Sequence, residues 1–238
     1  MKKSWNDFLN TVQNELESLS ADGCDLPFFR GHNDDNWELK PSLFRNTKNI
    51  NESSIYFDFV TYSAPLLDNK IMTGWDYLFE MRHCGLPTRL LDWTENFSIA
   101  LYFAIKGNPK NPCIWILNPF EMNHQSCGNA EIYNPAIDFE FTYEGAFIKE
   151  QETSFNNPIA IIPIKQSKRL FAQKGVFTLH FENRKPINEI FYDCVKKVCI
   201  PKDAINEAKG FLKLSGINEY SLFPDFDGLS RYIMESLN

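Results

Sequence analysis

The sequence predicts one α+β domain, with a mixed central sheet, flanking helices and an additional N-terminal helix. Short apolar runs typical of strands alternate irregularly with segments of helical period. Of the 238 residues, 43% are hydrophobic and 15% aromatic, a composition suited to a packed core. No repeat or linker divides the chain. We therefore expect a single domain over residues 1–238, with the N-terminal helix in 1–22 and the core over 26–230.

Helical spacing of apolar residues predicts most helices. The first, over 4–20, starts with Ser4 and Asp7, a pair typical of a capping box. Residues 118–157 show no clear period, so we expect an irregular segment there. The other predicted helices cover 52–67, 74–83, 95–107, 167–173, 202–214 and 227–237.

Short apolar runs predict the strands. The run 26–31 ends in Arg30-Gly31, so its strand would carry Arg30 at its tip, and a long polar loop over 32–51 would follow. The other predicted strands cover 86–94, 113–117, 159–164, 176–181 and 192–200.

Charge and composition exclude several classes of protein. There are 24 basic and 31 acidic residues, a net charge of −7, which argues against a duplex-binding protein held by phosphate neutralisation. No apolar run approaches the roughly 20 residues of a membrane span. The N-terminal segment is too polar for a signal peptide, so we expect a cytoplasmic protein without a membrane partner. The histidines and cysteines show no metal-ligand spacing, so no metal site is predicted.

Two positions suggest an anion site. Arg30 follows an apolar run and precedes Gly31, which would leave room for a ligand beside the backbone. The segment 88–94 places Thr88, Arg89 and Asp92 among apolar residues, with Trp93 as a stacking face. The alternative is structural: arginine–aspartate pairs that fix a strand to the following helix. His83, close by in the sequence, would be a general base, a hydrogen-bond donor to a phosphate, or a structural residue.

Four segments together resemble the FRG domain, a bacterial and phage domain named for a Phe/Tyr-Arg-Gly motif. One departure is Arg82 before His83, where the family usually has glutamine. The resemblance implies an accessory or defence-related protein of bacteria or mobile elements. The segments are Phe28–Gly31, Trp37–Arg45, Gly85–Ala104 and Leu222–Leu229, with a further family-like stretch at Arg169–Phe177.

The order of the elements also resembles the ADP-ribosyltransferase fold. That resemblance implies NAD as cofactor and an oxocarbenium-like transition state. Arg30 would hold the pyrophosphate, Thr94 would shape the nicotinamide pocket, and Glu219, in a strand-like segment, would stabilise the cation. Tyr102 or Trp93 would stack on the nicotinamide. The alternative for Glu219 is an exposed acid at a strand end. The acceptor, a protein or a nucleic acid, and the oligomeric state stay open.

Other motifs support competing interpretations. Asp225 and Asp227 could bind a metal or act in acid–base chemistry, but capping of the last helix explains them better. A non-catalytic sensing module would expose the aromatic residues of 118–157, and nucleic-acid processing would use a modest basic cluster. The aromatic residues are Phe120, Tyr133, Phe139, Phe141, Tyr143 and Phe147; the basic cluster is Lys165, Lys168, Arg169 and Lys174, beside Phe171.

Overall fold

A six-stranded sheet organises the computed structural model, which describes residues 2–21, 23–45, 50–67 and 71–237. The strand order is β4-β5-β2-β1-β3-β6, and all neighbouring strands are antiparallel. The α+β class is confirmed, but the predicted mixed sheet is wrong. The strands are β1 Phe28–His32, β2 Leu90–Thr94, β3 Cys113–Leu117, β4 Ile159–Ile161, β5 Gly175–Leu179 and β6 Val195–Cys199.

Helices cover the sheet and close its edges. Residues 118–157 were expected to be irregular, but α6 lies within them: Asn118 caps this helix, Pro119 occupies its first position, and Gly128 ends it at φ 77°. The helices are α1 Lys3–Ala21, α2 Ser42–Arg45, α3 Glu52–Ser63, α4 Gly74–His83, α5 Phe97–Ile105, α6 Pro119–Cys127, α7 Pro135–Asp138, α8 Lys168–Ala172, α9 Ile187–Ile190, α10 Ile205–Leu214, α11 Glu219–Leu222 and α12 Phe226–Ser236.

Two details of the predicted helices and loops need correction. Ser4 lies inside α1 and donates to the Asp203 carboxylate, so the predicted capping box with Asp7 does not form. Within the predicted loop 32–51, residues 42–45 form α2. Positions 46–49 of that loop, and 1 and 22 of the predicted N-terminal helix, lie outside the described residues.

The two faces of the sheet bury different clusters. Phe29 packs on one face with α1, α5 and α10, and Leu90 packs on that face against α4. Their neighbours Phe28 and Leu91 point to the opposite face, into a separate cluster with Trp115, because side chains alternate along a strand. Asp92 lies on the first face, two residues from Leu90 and Thr94. Arg30 alternates with Phe29 and therefore starts on the opposite face, and the candidate site forms where its side chain reaches Asp92.

Close packing between β1 and α5 depends on Gly31. A Cβ atom at this position would lie 2.0 Å from the carbonyl oxygen of Ala100 and 2.5 Å from the amide nitrogen of Ala104. The helix backbone therefore fills the space that the sequence interpretation left for a ligand. The small side chains of α5 permit this approach, as expected.

Candidate functional site

Arg30 occupies the middle of β1, whereas the sequence placed it at the strand tip. β1 and β2 share only the Phe29–Thr94 pair, so the Arg30 side chain reaches across to β2. Its Nη1 donates to the backbone oxygen of Asp92 at 2.5 Å and lies 3.6 Å from the Asp92 carboxylate. Its Nε donates to His32 at 2.9 Å. Arg30 and Asp92 therefore meet, but Trp93 and Tyr102 do not line a pocket beside them: Trp93 binds Thr178 and Tyr102 binds Glu219.

Arg82, in the last turn of α4, binds the same carboxylate more directly. Its Nε lies 2.9 Å from Asp92 Oδ1, and its Nη2 lies 2.5 Å from Oδ2. This two-point contact is the strong form of an arginine–carboxylate pair. Sequence reasoning gave Arg82 no role; the basic residue at the position of the family glutamine was the available indication.

Two further arginines, Arg45 and Arg169, surround this pair. Within the part of the chain that the structure describes, the Arg45 side chain has no hydrogen-bond or ion-pair partner, and part of its surface is exposed to solvent. Arg169 donates from Nη1 to the backbone oxygen of His83 at 3.1 Å. Its buried Nε has no hydrogen-bond partner among the described residues. We call Arg30, Arg45, Arg82 and Arg169 the arginine cluster.

The arginine cluster contains more positive than negative charge. Burial, and then the charges of Arg82 and Arg45, lower the pKa of Arg30 to about 10 although Asp92 opposes this. The pKa values of Arg45 and Arg169 are also lowered, first by burial. Burial would raise the pKa of Asp92, but Arg82 and then Arg30 outweigh it and keep the pKa below its usual value. At longer range, the negative charges of Glu38 and Asp225 oppose the lowering of the pKa of Arg45 and Arg169, respectively.

Three residues predicted at the pocket have structural contacts instead. Trp93 is 3% exposed on the opposite face of the sheet, where Nε1 donates to Thr178 at 3.2 Å, so it offers no stacking face. Thr94 is buried and donates to the backbone oxygen of Gln173 at 2.8 Å. Thr88 is 1% exposed, next to β2.

Arg89 belongs to a separate buried ion pair. Its Nε and Nη2 contact the Glu52 carboxylate at 2.8 and 2.5 Å, and its Nη1 donates to the backbone oxygen of His180 at 2.7 Å. The guanidinium carbon lies 3.8 Å from the centre of the Phe147 ring. Tyr143 donates to Glu52 as well, at 2.8 Å. Arg89, directly before β2, thus fixes this strand to α3, so its role is structural, although its partner is a glutamate of an earlier helix and not the expected aspartate.

Glu219 begins the one-turn helix α11, so the predicted strand-like segment is wrong. The Glu219 side chain is also buried, with 1% of its surface exposed, so the alternative of an exposed acid is wrong as well. Its carboxylate accepts from Lys106 at 2.9 Å, from Arg231 at 2.6 Å and from the Tyr102 hydroxyl. Burial would raise the pKa of Glu219, but these hydrogen bonds keep it lowered. Tyr102 and Glu219 therefore join α5 to α11 and α12 and are paired with each other.

The last helix cap, the aromatic patch and the basic cluster, which the sequence also singled out, make structural contacts. Asp225 caps α12 by accepting from the Gly228 amide at 2.7 Å, as predicted. Tyr143 and Phe147 of the expected aromatic patch are buried in the hydrophobic cluster that contains Leu90. The other four patch residues are partly buried, three against that cluster and Phe120 against the cluster that contains Phe29. Lys165 of the basic cluster pairs with Glu95. The four are Phe120, Tyr133, Phe139 and Phe141.

Comparison with known families identifies the segment that carries the site. The family model of the FRG domain matches residues 26–112. The chain carries an FRG domain. The match includes Arg30, Arg45, Arg82 and Asp92, and it ends before Arg169. No curated protein and no solved structure shows significant similarity to the chain.

The FRG domain motif now has a structural explanation. Phe29 packs against Phe97 of α5, with ring centres 6.1 Å apart. Arg30 binds Asp92 of the family-like segment Gly85–Ala104, and Gly31 admits the α5 backbone. The strands β3 and β5, outside the family match, pair with β1 and β2 inside it. The matched segment therefore completes its sheet with strands from the rest of the chain.

Neither a cluster of metal ligands nor a membrane-spanning helix is present among the described residues. No group of three histidine, cysteine, aspartate or glutamate side chains there could hold a metal ion. None of the helices in the described ranges is long and apolar enough to cross a membrane.

Two buried histidines predict a loss of stability in mild acid. Burial, and then Arg30 and Arg45, lower the pKa of His32 to about 3; burial, then Arg89, lower that of His180 to about 3. Below pH 6.5 the unfolded chain binds protons that the folded chain does not, so stability falls as pH falls from 6.5 towards 3. At pH 5 each histidine should cost about 2 kcal/mol of unfolding free energy.

Urea unfolding at pH 7 and pH 5 measures this effect. The double variant His32→Gln and His180→Gln should lose less stability between the two pH values than the unmodified protein. His124→Gln is the control, because His124 is exposed. Equal pH dependence in the double variant and the unmodified protein would contradict the prediction.

Proposed function

We propose that this FRG-domain protein binds a phosphate-bearing small molecule at the arginine cluster. The observation that carries the proposal is the gathering of four guanidinium groups around the single carboxylate of Asp92. An anion at this place would offset the mutual repulsion of the arginines, and guanidinium groups match the geometry of phosphate oxygens. Arg45 and the Arg169 Nε have hydrogen-bonding capacity left for it.

NAD is the finer candidate within this class. Its pyrophosphate offers two adjacent anionic groups, which suits several arginines better than one carboxylate does. Transfer of ADP-ribose would in addition require a carboxylate near the reacting sugar. Glu219 is held by Tyr102, Lys106 and Arg231, so it would have to leave these partners to act. These contacts favour binding of the nucleotide over its transfer, in a bacterial or phage defence context implied by the family resemblance alone.

Thermal-shift titrations test the proposed binding. We expect pyrophosphate, ADP-ribose and NAD to raise the melting temperature, because a ligand of the folded state stabilises it by about 2.7 kcal/mol at a hundredfold excess over its Kd. Arg45→Ala should weaken binding about tenfold or more, since a hydrogen bond to a charged group contributes about 1.5–3 kcal/mol. Among the described residues, the substitution removes no side-chain hydrogen bond or ion pair of the fold.

Arg184→Ala is the matched control. Arg184 is exposed and lies over the Phe44 ring, and its removal changes the net charge by the same amount. Its ligand affinity should equal that of the unmodified protein. Equal weakening in both variants would point to non-specific charge attraction, and the absence of any shift with all three ligands would overturn the proposal.

A further inference from the structure

A serine, a histidine and a glutamate contact one another in sequence beside the C-terminal end of α4. Their side chains make none of the contacts described above for the arginine cluster. The Ser167 Oγ atom is 3.1 Å from Nε2 of His83. The other ring nitrogen of His83, Nδ1, faces the Glu80 carboxylate at 3.7 Å. His83 and Glu80 are one helical turn apart on α4, whereas Ser167 comes from the N-cap of α8.

The hydrogen bonding of Ser167 leaves its proton available to the histidine. Its oxygen accepts from the Leu170 amide at 3.0 Å, which is the capping contact of α8. A hydroxyl accepts through its lone pairs and donates through its single hydrogen. The hydrogen can therefore point to His83 Nε2 while the cap is kept. This is the relation between a nucleophile and its general base.

A cavity of about 230 Å³ opens beside the pair. His83 and Ser167 are part of its wall, and most of the remaining wall is apolar. Such a cavity can accept a small apolar group next to the serine oxygen. The apolar lining residues are Leu67, Ile71, Met72, Phe79, Ile164, Leu170 and Phe177.

We propose that Ser167 and His83 form a nucleophile–base pair that cleaves carboxylic esters with a small apolar acyl group. Ser167 Oγ forms a bond to the carbonyl carbon while its proton moves to His83 Nε2. The bond from that carbon to the alcohol oxygen then breaks, and His83 returns the proton to the leaving alcohol. Water attacks the acyl-serine in the same way, releasing the carboxylic acid and restoring Ser167. Glu80 is a positioning residue that orients the ring.

A fluorophosphonate probe tests the nucleophile directly. The serine oxygen would bond to phosphorus, fluoride would leave, and the proton would pass to His83. We expect one probe per chain, located at Ser167 by peptide mass spectrometry, and turnover of p-nitrophenyl butyrate. An unlabelled protein, or label on another residue, would overturn the proposal.

Three variants separate catalysis from folding. Ser167→Asn keeps a good N-cap but has no nucleophile, so labelling should vanish without loss of stability. His83→Gln should slow labelling about 100-fold or more, the usual contribution of a general base. Glu80→Gln should lower the maximal labelling rate and leave the probe's binding constant unchanged, which a merely structural role would not do.

His124→Gln is the matched control. His124 and Glu121 form the same histidine–glutamate pair one turn apart, with Nδ1 3.9 Å from the carboxylate, on α6. Because His124 is not a wall residue of the cavity, its replacement should leave labelling unchanged. Labelling that persists in Ser167→Asn, or that falls equally in His83→Gln and His124→Gln, would overturn the proposal.

Discussion

Replacing Gly31 with alanine should lower the free energy of unfolding by about 3 kcal/mol, the upper part of the usual range for overpacking. The added Cβ would lie 2.0 Å from the oxygen of Ala100 and 2.5 Å from the nitrogen of Ala104. Both atoms belong to the helix backbone, so no side-chain rotation can relieve the clash. Either β1 or α5 must shift, and the contacts of Phe29 and Arg30 would shift with them. Urea unfolding measures the loss.

Gly210→Ala provides the matched control. Gly210 lies in α10, and a Cβ there would have no heavy atom within 4 Å. Alanine favours a helix over glycine by about 0.8–1.0 kcal/mol, so this variant should be more stable than the unmodified protein. A Gly31→Ala protein as stable as the unmodified one would contradict the account of the motif glycine.

Arg89→Ala should lower the free energy of unfolding by about 4 kcal/mol, within the range for breaking a buried pair by removing one partner. The side chains of Arg89 and Glu52 are only 7% and 13% exposed. The substitution leaves the Glu52 carboxylate buried with Tyr143 as its remaining described partner, and it removes the guanidinium from the Phe147 ring. Chemical unfolding at neutral pH measures the change.

Lys110→Ala is the control for a surface pair. Lys110 is 82% exposed and lies 3.8 Å from Asp34, so its loss should cost less than about 1 kcal/mol. A second check is the double variant Arg89→Met and Glu52→Leu, which removes both charges and should be more stable than Arg89→Ala. Equal losses in Arg89→Ala and Lys110→Ala would contradict the assigned burial of the pair.

The sequence predicted the elements whose information is local. Apolar runs located the strands within a few residues. In β3, for example, all five residues are hydrophobic and buried, so the strand is visible in the sequence as a short apolar run. The helical spacing of apolar residues located α4 correctly, from Gly74 to His83. Arg30 and Asp92, which belong to neighbouring family-like segments, do contact each other, but the stacking residues expected beside them lie elsewhere. The antiparallel direction of every strand pair could not be predicted, since it depends on the path of long connections.

The residues that complete the site come from distant segments. Arg45, Arg82 and Arg169 lie on α2, α4 and α8, and no spacing in the sequence relates them. Trp93 was misplaced because a one-residue change of strand register exchanges the two faces of the sheet. Glu219 was misplaced because the three partners that bury it come from α5 and α12. Each of these errors concerns tertiary contacts rather than local propensity.

Isothermal titration calorimetry with inorganic pyrophosphate tests the central claim, an anion site in the arginine cluster, most directly. The variants Arg45→Gln and Arg45→Lys separate the bidentate guanidinium from charge alone, because lysine keeps the charge but not the planar geometry. The account predicts saturable binding to one site, weakened about tenfold or more by Arg45→Gln and to an intermediate extent by Arg45→Lys. Absence of saturable binding, or the same affinity in all three proteins, would contradict it.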